Sequence, residues 1–149
     1  LKTDGFYTVP AELLEKIQSR FWAGCCGDAE TKQTIGRVWQ EHHYLCDTHT
    51  AVAWNVAQQY KAANPAHAPV VVLSTASPYK FPAAVLEGLG EKAEGDEFAV
   101  MEQLERLTGI PAPKNLCGLR ERPVRHTTVL DREEMLPFVL EKAQEKKWF

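Results

Sequence analysis

Residues 69–81 read PVVVLSTASPYKF, and this stretch determines the predicted fold. Its β-branched run at 70–73 is apolar without any polar alternation. Such a run is typical of a strand that is buried on both faces in a parallel sheet covered by helices. Three hydroxyl residues, Ser74, Thr75 and Ser77, follow almost at once. The sequence therefore predicts a buried strand that ends in a polar turn.

Apolar residues at helical spacing predict helices on both sides of this stretch. The predicted helices before it begin near Val9, after Asp28 as N-cap (ending at His42 and His43), and at Asp47 (ending at Asn64 and Pro65). The predicted helices after it cover residues 82–89, with Pro82 first after a separate turn at 77–80, then 96–107, one turn near Asn115, and a last helix from the N-cap Asp131 to Lys146.

The predicted class is therefore α/β: a helix-rich chain with a small, mostly parallel sheet flanked by helices. A strand buried on both faces needs a neighbour at each edge, and only residues 5–9 and 126–130 are candidates. Either the domain is unusually helical for its sheet, or the missing strands lie in sequence outside this chain. Unpaired strand edges invite pairing with another copy, so we also expect some self-association.

Composition excludes several classes of protein. The chain has 149 residues, a size that suits one domain, and a net charge of −3, whereas a nucleic-acid-binding protein needs a basic face. No apolar run approaches the ~20 residues that cross a bilayer, so we expect no membrane span. The four cysteines form no C-x-x-C pair, which argues against a metal site. We expect them to be reduced in a cytoplasmic protein.

The carboxyl end of the predicted strand is the candidate binding site, because ligands of open α/β sheets bind beyond that edge. Ser74, Thr75 and Ser77 could donate hydrogen bonds to a planar or anionic ligand without adding bulk. Alternatively, Ser77 caps the following turn, while Ser74 and Thr75 bond only to local backbone. Spacing alone leaves both interpretations open. Lys80 is the one lysine close to these residues.

Two motifs resemble a known family. Residues 70–89, VVVLSTASPYKFPAAVLEGL, resemble the threonine synthase segment V-V-x-x-T-A-H-P-x-K-F-x-x-A-V. Upstream, residues 44–52, YLCDTHTAV, are similar to that family's G-Y-L-x-D-P-H-T-A-V. The order of the motifs and their separation also resemble the family. Almost the whole chain is thus similar to the carboxy-terminal third or so of a threonine synthase.

The resemblance implies a fold-type II pyridoxal-phosphate (PLP) enzyme with a tryptophan synthase β-like architecture. Such an enzyme converts O-phospho-L-homoserine and water to L-threonine and phosphate. Residues 1–149 would form a single carboxy-terminal segment of it. The family's cofactor-binding lysine lies in the amino-terminal half, in an S-F-K-D-like motif that this sequence lacks. The chain alone is therefore expected to be inactive. The alternative is an independent domain, derived from that fold, that binds a small anion or another molecule.

The resemblance also implies roles for individual residues. Thr75, with Ser74 as the nearby alternative, would hydrogen-bond the pyridine nitrogen of the cofactor. Ser77, Lys80 and His49 are candidate pocket residues; Lys80 would be a solvated or phosphate-facing cation rather than the lysine that binds the cofactor. For His49, a structural hydrogen bond and a ligand contact both remain open. The chain departs from the family pattern at Ser77, where the family has His, and at Thr48, where it has Pro.

Overall fold

The computed structural model describes residues 5–145, which contain seven α-helices and two 3₁₀ turns. The helices are α1 (Ala11–Gln18), α2 (Asp28–His42), α3 (Thr48–Ala63), α4 (Pro82–Gly88), α5 (Glu97–Thr108), α6 (Lys114–Cys117) and α7 (Met135–Glu145). The 3₁₀ turns are Pro78–Lys80 and Arg132–Glu134. The chain divides into two compact units, the first ending at Cys117 and the second beginning at Gly118.

The core of the first unit lies where α4 packs against both α2 and α5, and where α2 packs against α3. Its buried apolar side chains are Ile35, Val38, Leu45, Cys46, Ala51, Tyr79, Val85, Leu86, Val100 and Leu104. The short helix α4 contributes two of them, both fully buried. Because α4 immediately follows the turn at 78–80, this core fixes the position of the predicted site.

Most helix boundaries agree with the predictions. Asp47 is the N-cap of α3, and its carboxylate accepts hydrogen bonds from the backbone N–H groups of His49 (2.8 Å) and Thr50 (3.2 Å). Pro82 is the first residue of α4, as predicted. Asp28, predicted as an N-cap, is instead the first helical residue of α2, because Gly27 takes the cap position.

The predicted parallel sheet is wrong, since no β-strand occurs in residues 5–145. The run at 70–73 has no neighbouring strand, and Val71 and Leu73 remain 81% and 73% exposed. The two other predicted strands, at 5–9 and 126–130, are likewise unpaired. Hydrogen bonds to neighbours define a strand, and the described chain supplies none to this run despite its strong β-propensity.

The second unit contains a 3₁₀ turn followed by α7. Asp131 occupies the N-cap position of this turn, as predicted, and its backbone N–H donates to the Glu134 carboxylate at 2.9 Å. The predicted end of the last helix, Lys146, lies outside the described residues. None of the helices in residues 5–145 is both long and apolar enough to cross a membrane.

Candidate functional site

A groove of about 360 Å³ follows the extended segment in the first unit. One wall carries four residues predicted as site residues, and the other comes from the end of the loop after α5 and from α6. The lining residues are Ser74, Thr75, Ala76, Ser77 and Lys80 on the first wall and Pro113, Asn115 and Leu116 on the second. The structure thus places a row of hydroxyls opposite an amide side chain, with a lysine beside them.

Tyr79 ties the two walls together. Its side chain is 3% exposed, and its phenol hydroxyl donates a hydrogen bond to the backbone carbonyl of Ile110, in the segment that leads to α6. Burial raises the pKa of the Tyr79 phenol, which therefore keeps the proton it donates. The backbone N–H of Tyr79 in turn donates to Ser77 Oγ at 3.3 Å. Ser77 thus caps the turn, as one of the two interpretations predicted, and it also lines the groove.

Three side chains connect the groove to the start of α3. The hydroxyl of Tyr44 lies 3.0 Å from Ser74 Oγ, and Thr50 Oγ1 lies 3.3 Å from the same oxygen. Thr50 also hydrogen-bonds the second carboxylate oxygen of Asp47. A continuous row of polar side chains therefore runs from Tyr44 through Ser74 and Thr50 to a carboxylate.

The Asp47 carboxylate at the end of this row is fully buried. Burial raises its pKa, but hydrogen bonds from the Thr50 side chain and from the backbone of Thr50 and His49, together with the nearby His49 ring, outweigh burial. The net pKa lies below the ordinary value of an aspartate. Asp47 is therefore ionised at neutral pH and acts only as an acceptor.

Thr75 differs from its neighbours in its bonding. Within residues 5–145, neither its hydroxyl nor the Lys80 amine makes a hydrogen bond inside the protein. Ser74 and Ser77, in contrast, both contact protein groups. Ser74 and Ser77 act there as acceptors, so Thr75 is the hydroxyl of this wall that makes no hydrogen bond with the described residues.

His49 lies apart from the other predicted site residues. It lines a different cavity, of about 530 Å³, together with Cys26, Lys32 and Thr48. Its ring packs against Phe81 with 5.1 Å between the ring centroids, and its Nδ1 lies 3.4 Å from the Asp47 carboxylate. The groove at Thr75 and the cavity at His49 are thus separate, and His49 does not line the groove.

The structure adds residues that sequence reasoning did not single out: Asn115 and the connected side chains of Tyr44, Asp47 and Thr50. The last three residues belong to the stretch 44–52, in which the sequence predicted only His49 as a pocket residue. The available signal was the spacing of an N-cap: the backbone N–H and the hydroxyl of Thr50, three residues after Asp47, both bond the cap carboxylate. Asn115 carries no comparable local signal.

The family to which the chain belongs is shown by comparison with known protein families. Residues 50–139, more than half of the chain, match the family model described as "Threonine synthase, C-terminal". The chain therefore belongs to the threonine synthase C-terminal family, and the resemblance of the two sequence motifs is confirmed.

Named relatives agree with this assignment. The chain is 38% identical over 74 residues to the threonine synthase of Methylobacillus glycogenes, covering 50% of this chain and 15% of that protein. It is 34% identical over 101 residues to threonine synthase-like 2 of Pongo abelii, covering 67% of this chain and 21% of that protein. The chain thus spans well under two thirds of the length of the relatives it matches.

A solved structure extends the similarity to the fold. The X-ray crystal structure of PLP-bound threonine synthase from Brucella melitensis superposes with a TM-score of 0.70 at 31% sequence identity. The matched region covers 97% of this chain and 26% of that one. The fold of this chain is therefore similar to part of a larger solved enzyme.

Proposed function

We propose that this chain is the carboxy-terminal part of a PLP-dependent threonine synthase, which converts O-phospho-L-homoserine and water to L-threonine and phosphate. The observation that carries this proposal is the groove at Thr75, in a chain that belongs to the threonine synthase C-terminal family. The chain spans 26% of the PLP-bound relative, so most of such an enzyme would be supplied by other sequence.

The groove suits one edge of the cofactor. A pyridine nitrogen needs one hydrogen-bond donor, and the Thr75 hydroxyl has no protein partner among the described residues. When bound, PLP supplies an electron sink for the reaction, and the protein binds and orients it. Thr75 would hold the ring nitrogen by a neutral hydrogen bond. Lys80, exposed beside the same groove, would provide a positive charge for an anionic substrate.

A lysine that binds PLP covalently is a separate requirement. The resemblance places that lysine in an S-F-K-D-like motif, and the sequence contains no such motif. Lys80 lines the groove. It is the last residue of the turn that Ser77 caps and corresponds to the lysine of the family's P-x-K-F motif. We therefore infer that this chain provides one wall of the cofactor site and no covalent attachment.

The isolated chain is not expected to bind PLP covalently. Added cofactor should give no visible absorbance band beyond that of free PLP, and borohydride should trap no stoichiometric adduct. The measurement is a PLP titration followed by borohydride reduction and peptide mass analysis. A single stoichiometric adduct at one lysine, Lys80 included, would contradict the inferred absence of the cofactor-binding lysine.

The role of Thr75 can be tested in the full product of the reading frame that encodes this chain. Thr75→Val keeps the shape of the side chain and removes its hydroxyl, so the dissociation constant for PLP should rise about tenfold, the effect of one lost hydrogen bond. Thr75→Ser keeps the hydroxyl and is the matched control, expected to bind PLP nearly as well as the unsubstituted protein. Equal weakening by both substitutions would show that side-chain shape, not the hydroxyl, matters.

The same product separates the proposal from its alternative. A threonine synthase requires a reading frame that extends upstream through an S-F-K-D-like stretch, and its product should release threonine and phosphate from O-phospho-L-homoserine. A reading frame that starts with Met beside Leu1 would instead favour an independent domain that binds a small anion or another molecule.

A further inference from the structure

The charges on the walls of the groove at Thr75 indicate which kind of ligand it binds. The Lys80 amine lies on the first wall, and none of the described lining residues is acidic. Within residues 5–145, the Lys80 amine makes no ion pair. An anionic group would therefore meet a cation and no carboxylate on these walls, which favours its binding.

The hydroxyl groups of the first wall can donate to the same anion. Ser74 Oγ accepts from the hydroxyl groups of Tyr44 at 3.0 Å and Thr50 at 3.3 Å. Ser77 Oγ accepts from a backbone N–H at 3.3 Å. None of these bonds uses the proton of either serine, and Thr75 makes no hydrogen bond with the described residues. The first wall thus offers several donors, which suit the oxygens of an anion because these oxygens only accept.

Asn115 is the polar side chain of the second wall. It is exposed, and its amide makes no hydrogen bond within residues 5–145. An asparagine amide carries two N–H donors, and hydrogen bonds to an ionised acceptor are the stronger ones. The Asn115 amide can therefore bind the same anion from the side opposite to the hydroxyl groups.

The second wall is held in place by the rest of the first unit. The Tyr79 hydroxyl donates to the backbone carbonyl of Ile110, and the Ile110 N–H donates to Thr108 Oγ1 at 3.3 Å. Leu116, the residue that follows Asn115, packs against the core. Because these contacts exist without a ligand, the backbone at Asn115 needs no ordering when a ligand binds, which favours affinity.

We propose that Asn115 is a contact residue for a phosphate group bound in this groove: its amide donates from the second wall, and Lys80 and the hydroxyl groups bind from the first. A phosphate group has three terminal oxygens and can accept from both walls at once. Under the proposed function the phosphate belongs to O-phospho-L-homoserine or to PLP. That assignment rests on the proposed function, whereas the phosphate contact does not.

Asn115→Asp is the variant that tests this contact. It keeps the shape of the side chain, removes both N–H donors and adds a negative charge. Asn115 is exposed, so the substitution should change stability little. Gln18→Glu is the matched control, because it makes the same change from amide to carboxylate at an exposed position. Gln18 ends α1 and lines a different cavity.

The first measurement needs no PLP. Inorganic phosphate is added to this chain, and proton–nitrogen NMR spectra follow the backbone amides of Thr75 and Lys80 and the side-chain amide of Asn115. Sodium chloride at matched ionic strength separates binding from screening. We expect saturable shifts at all three residues. Asn115→Asp should raise the dissociation constant for phosphate at least about tenfold, the effect of one lost hydrogen bond to a charged group, and Gln18→Glu should leave it nearly unchanged.

Three results of this titration would overturn the proposal. The first is equal phosphate affinity for the Asn115→Asp chain and the unsubstituted chain. The second is a saturable shift confined to other cationic residues, such as Arg122 and Arg125, with none at Thr75 or Lys80. The third is the absence of any saturable shift.

The second measurement identifies the molecule that carries the phosphate. In the full product of the reading frame, Asn115→Asp and Gln18→Glu are compared by KM and kcat for O-phospho-L-homoserine and by Kd for PLP. A substrate phosphate in the groove predicts a rise in KM of at least about tenfold with kcat nearly unchanged, as for a contact made equally in the ground and transition states. A cofactor phosphate predicts a rise of the same size in the Kd for PLP. An active Asn115→Asp enzyme with neither change would overturn the contact.

The two measurements fail separately. If the unsubstituted product binds no PLP and releases no threonine, the proposed function is wrong, and the phosphate titration still decides whether Asn115 contacts an anion. If the unsubstituted product is active but Asn115→Asp changes neither phosphate affinity nor the kinetic constants, the contact is wrong and the proposed function is unaffected.

Discussion

Replacing Leu86 by Ala is expected to lower the free energy of unfolding of this chain by about 2–5 kcal/mol. Leu86 is fully buried in α4, the helix that contacts both α2 and α5. Truncation removes apolar burial and leaves a cavity between three helices that the short helix α4 cannot close by itself. Ala is a good helix former, so α4 does not lose helix propensity. Chemical denaturation followed by far-UV circular dichroism measures the loss.

Leu73→Ala is the matched control for this prediction. It removes the same atoms from a leucine that is 73% exposed in the unpaired run at 70–73. Substitutions at exposed positions usually change stability by no more than about 0.5 kcal/mol. A loss at Leu73 as large as the loss at Leu86 would show that this run is buried in solution, contrary to the structure.

The contrast between these leucines shows where sequence reasoning failed. The run at 70–73 has the composition of a doubly buried strand, and composition reports only that such residues favour a sheet. Whether a sheet forms depends on neighbouring strands, which come from distant sequence. The described residues provide none, so Val71 and Leu73 are exposed and the predicted α/β class is wrong for this chain.

Predictions that depend on neighbours within one helical turn were mostly accurate, although Gly27 rather than Asp28 takes the N-cap position of α2. Asp47 was predicted to begin α3, and it caps that helix through two backbone N–H groups. Pro82 was predicted as the first residue of α4 after a separate turn, and both features are present. These features are local because a cap or a first-turn proline acts on atoms only two or three residues away.

In the candidate site too, local features were predictable from the sequence and contacts between distant residues were not. Ser74, Thr75, Ser77 and Lys80 line one groove because they follow one another in the chain. The opposite wall, with Asn115, depends on the bond from Tyr79 to Ile110, which joins residues 31 positions apart. The contact between Tyr44 and Ser74 spans 30 positions. Neither contact has a local sequence signal, so the second wall and the row to Asp47 emerged only from the structure.

The packing of α2 against α4 rests on two glycines, Gly36 and Gly88. A Cβ atom on Gly36 would overlap the backbone carbonyl oxygen of Gly88, and one on Gly88 would lie 2.9 Å from the backbone carbonyl oxygen of Lys32. In the interior of a helix a glycine costs roughly 0.5–1 kcal/mol relative to alanine. The close approach of the two backbones therefore outweighs this cost, since it brings Ile35 and Leu86 into the same core.

Gly36→Ala is therefore expected to destabilise the chain, although alanine is the better helix former. Overpacking of a core typically costs about 1–3 kcal/mol, and because the atom that must move belongs to the backbone of α4, the helix itself has to shift. Gly118→Ala is the control: a Cβ there meets nothing within 4 Å, and its φ is not positive. The midpoint of chemical denaturation should fall for Gly36→Ala and stay near the original value for Gly118→Ala. An increase in stability for Gly36→Ala, by the amount that helix propensity alone predicts, would mean that α2 and α4 are farther apart than the structure shows.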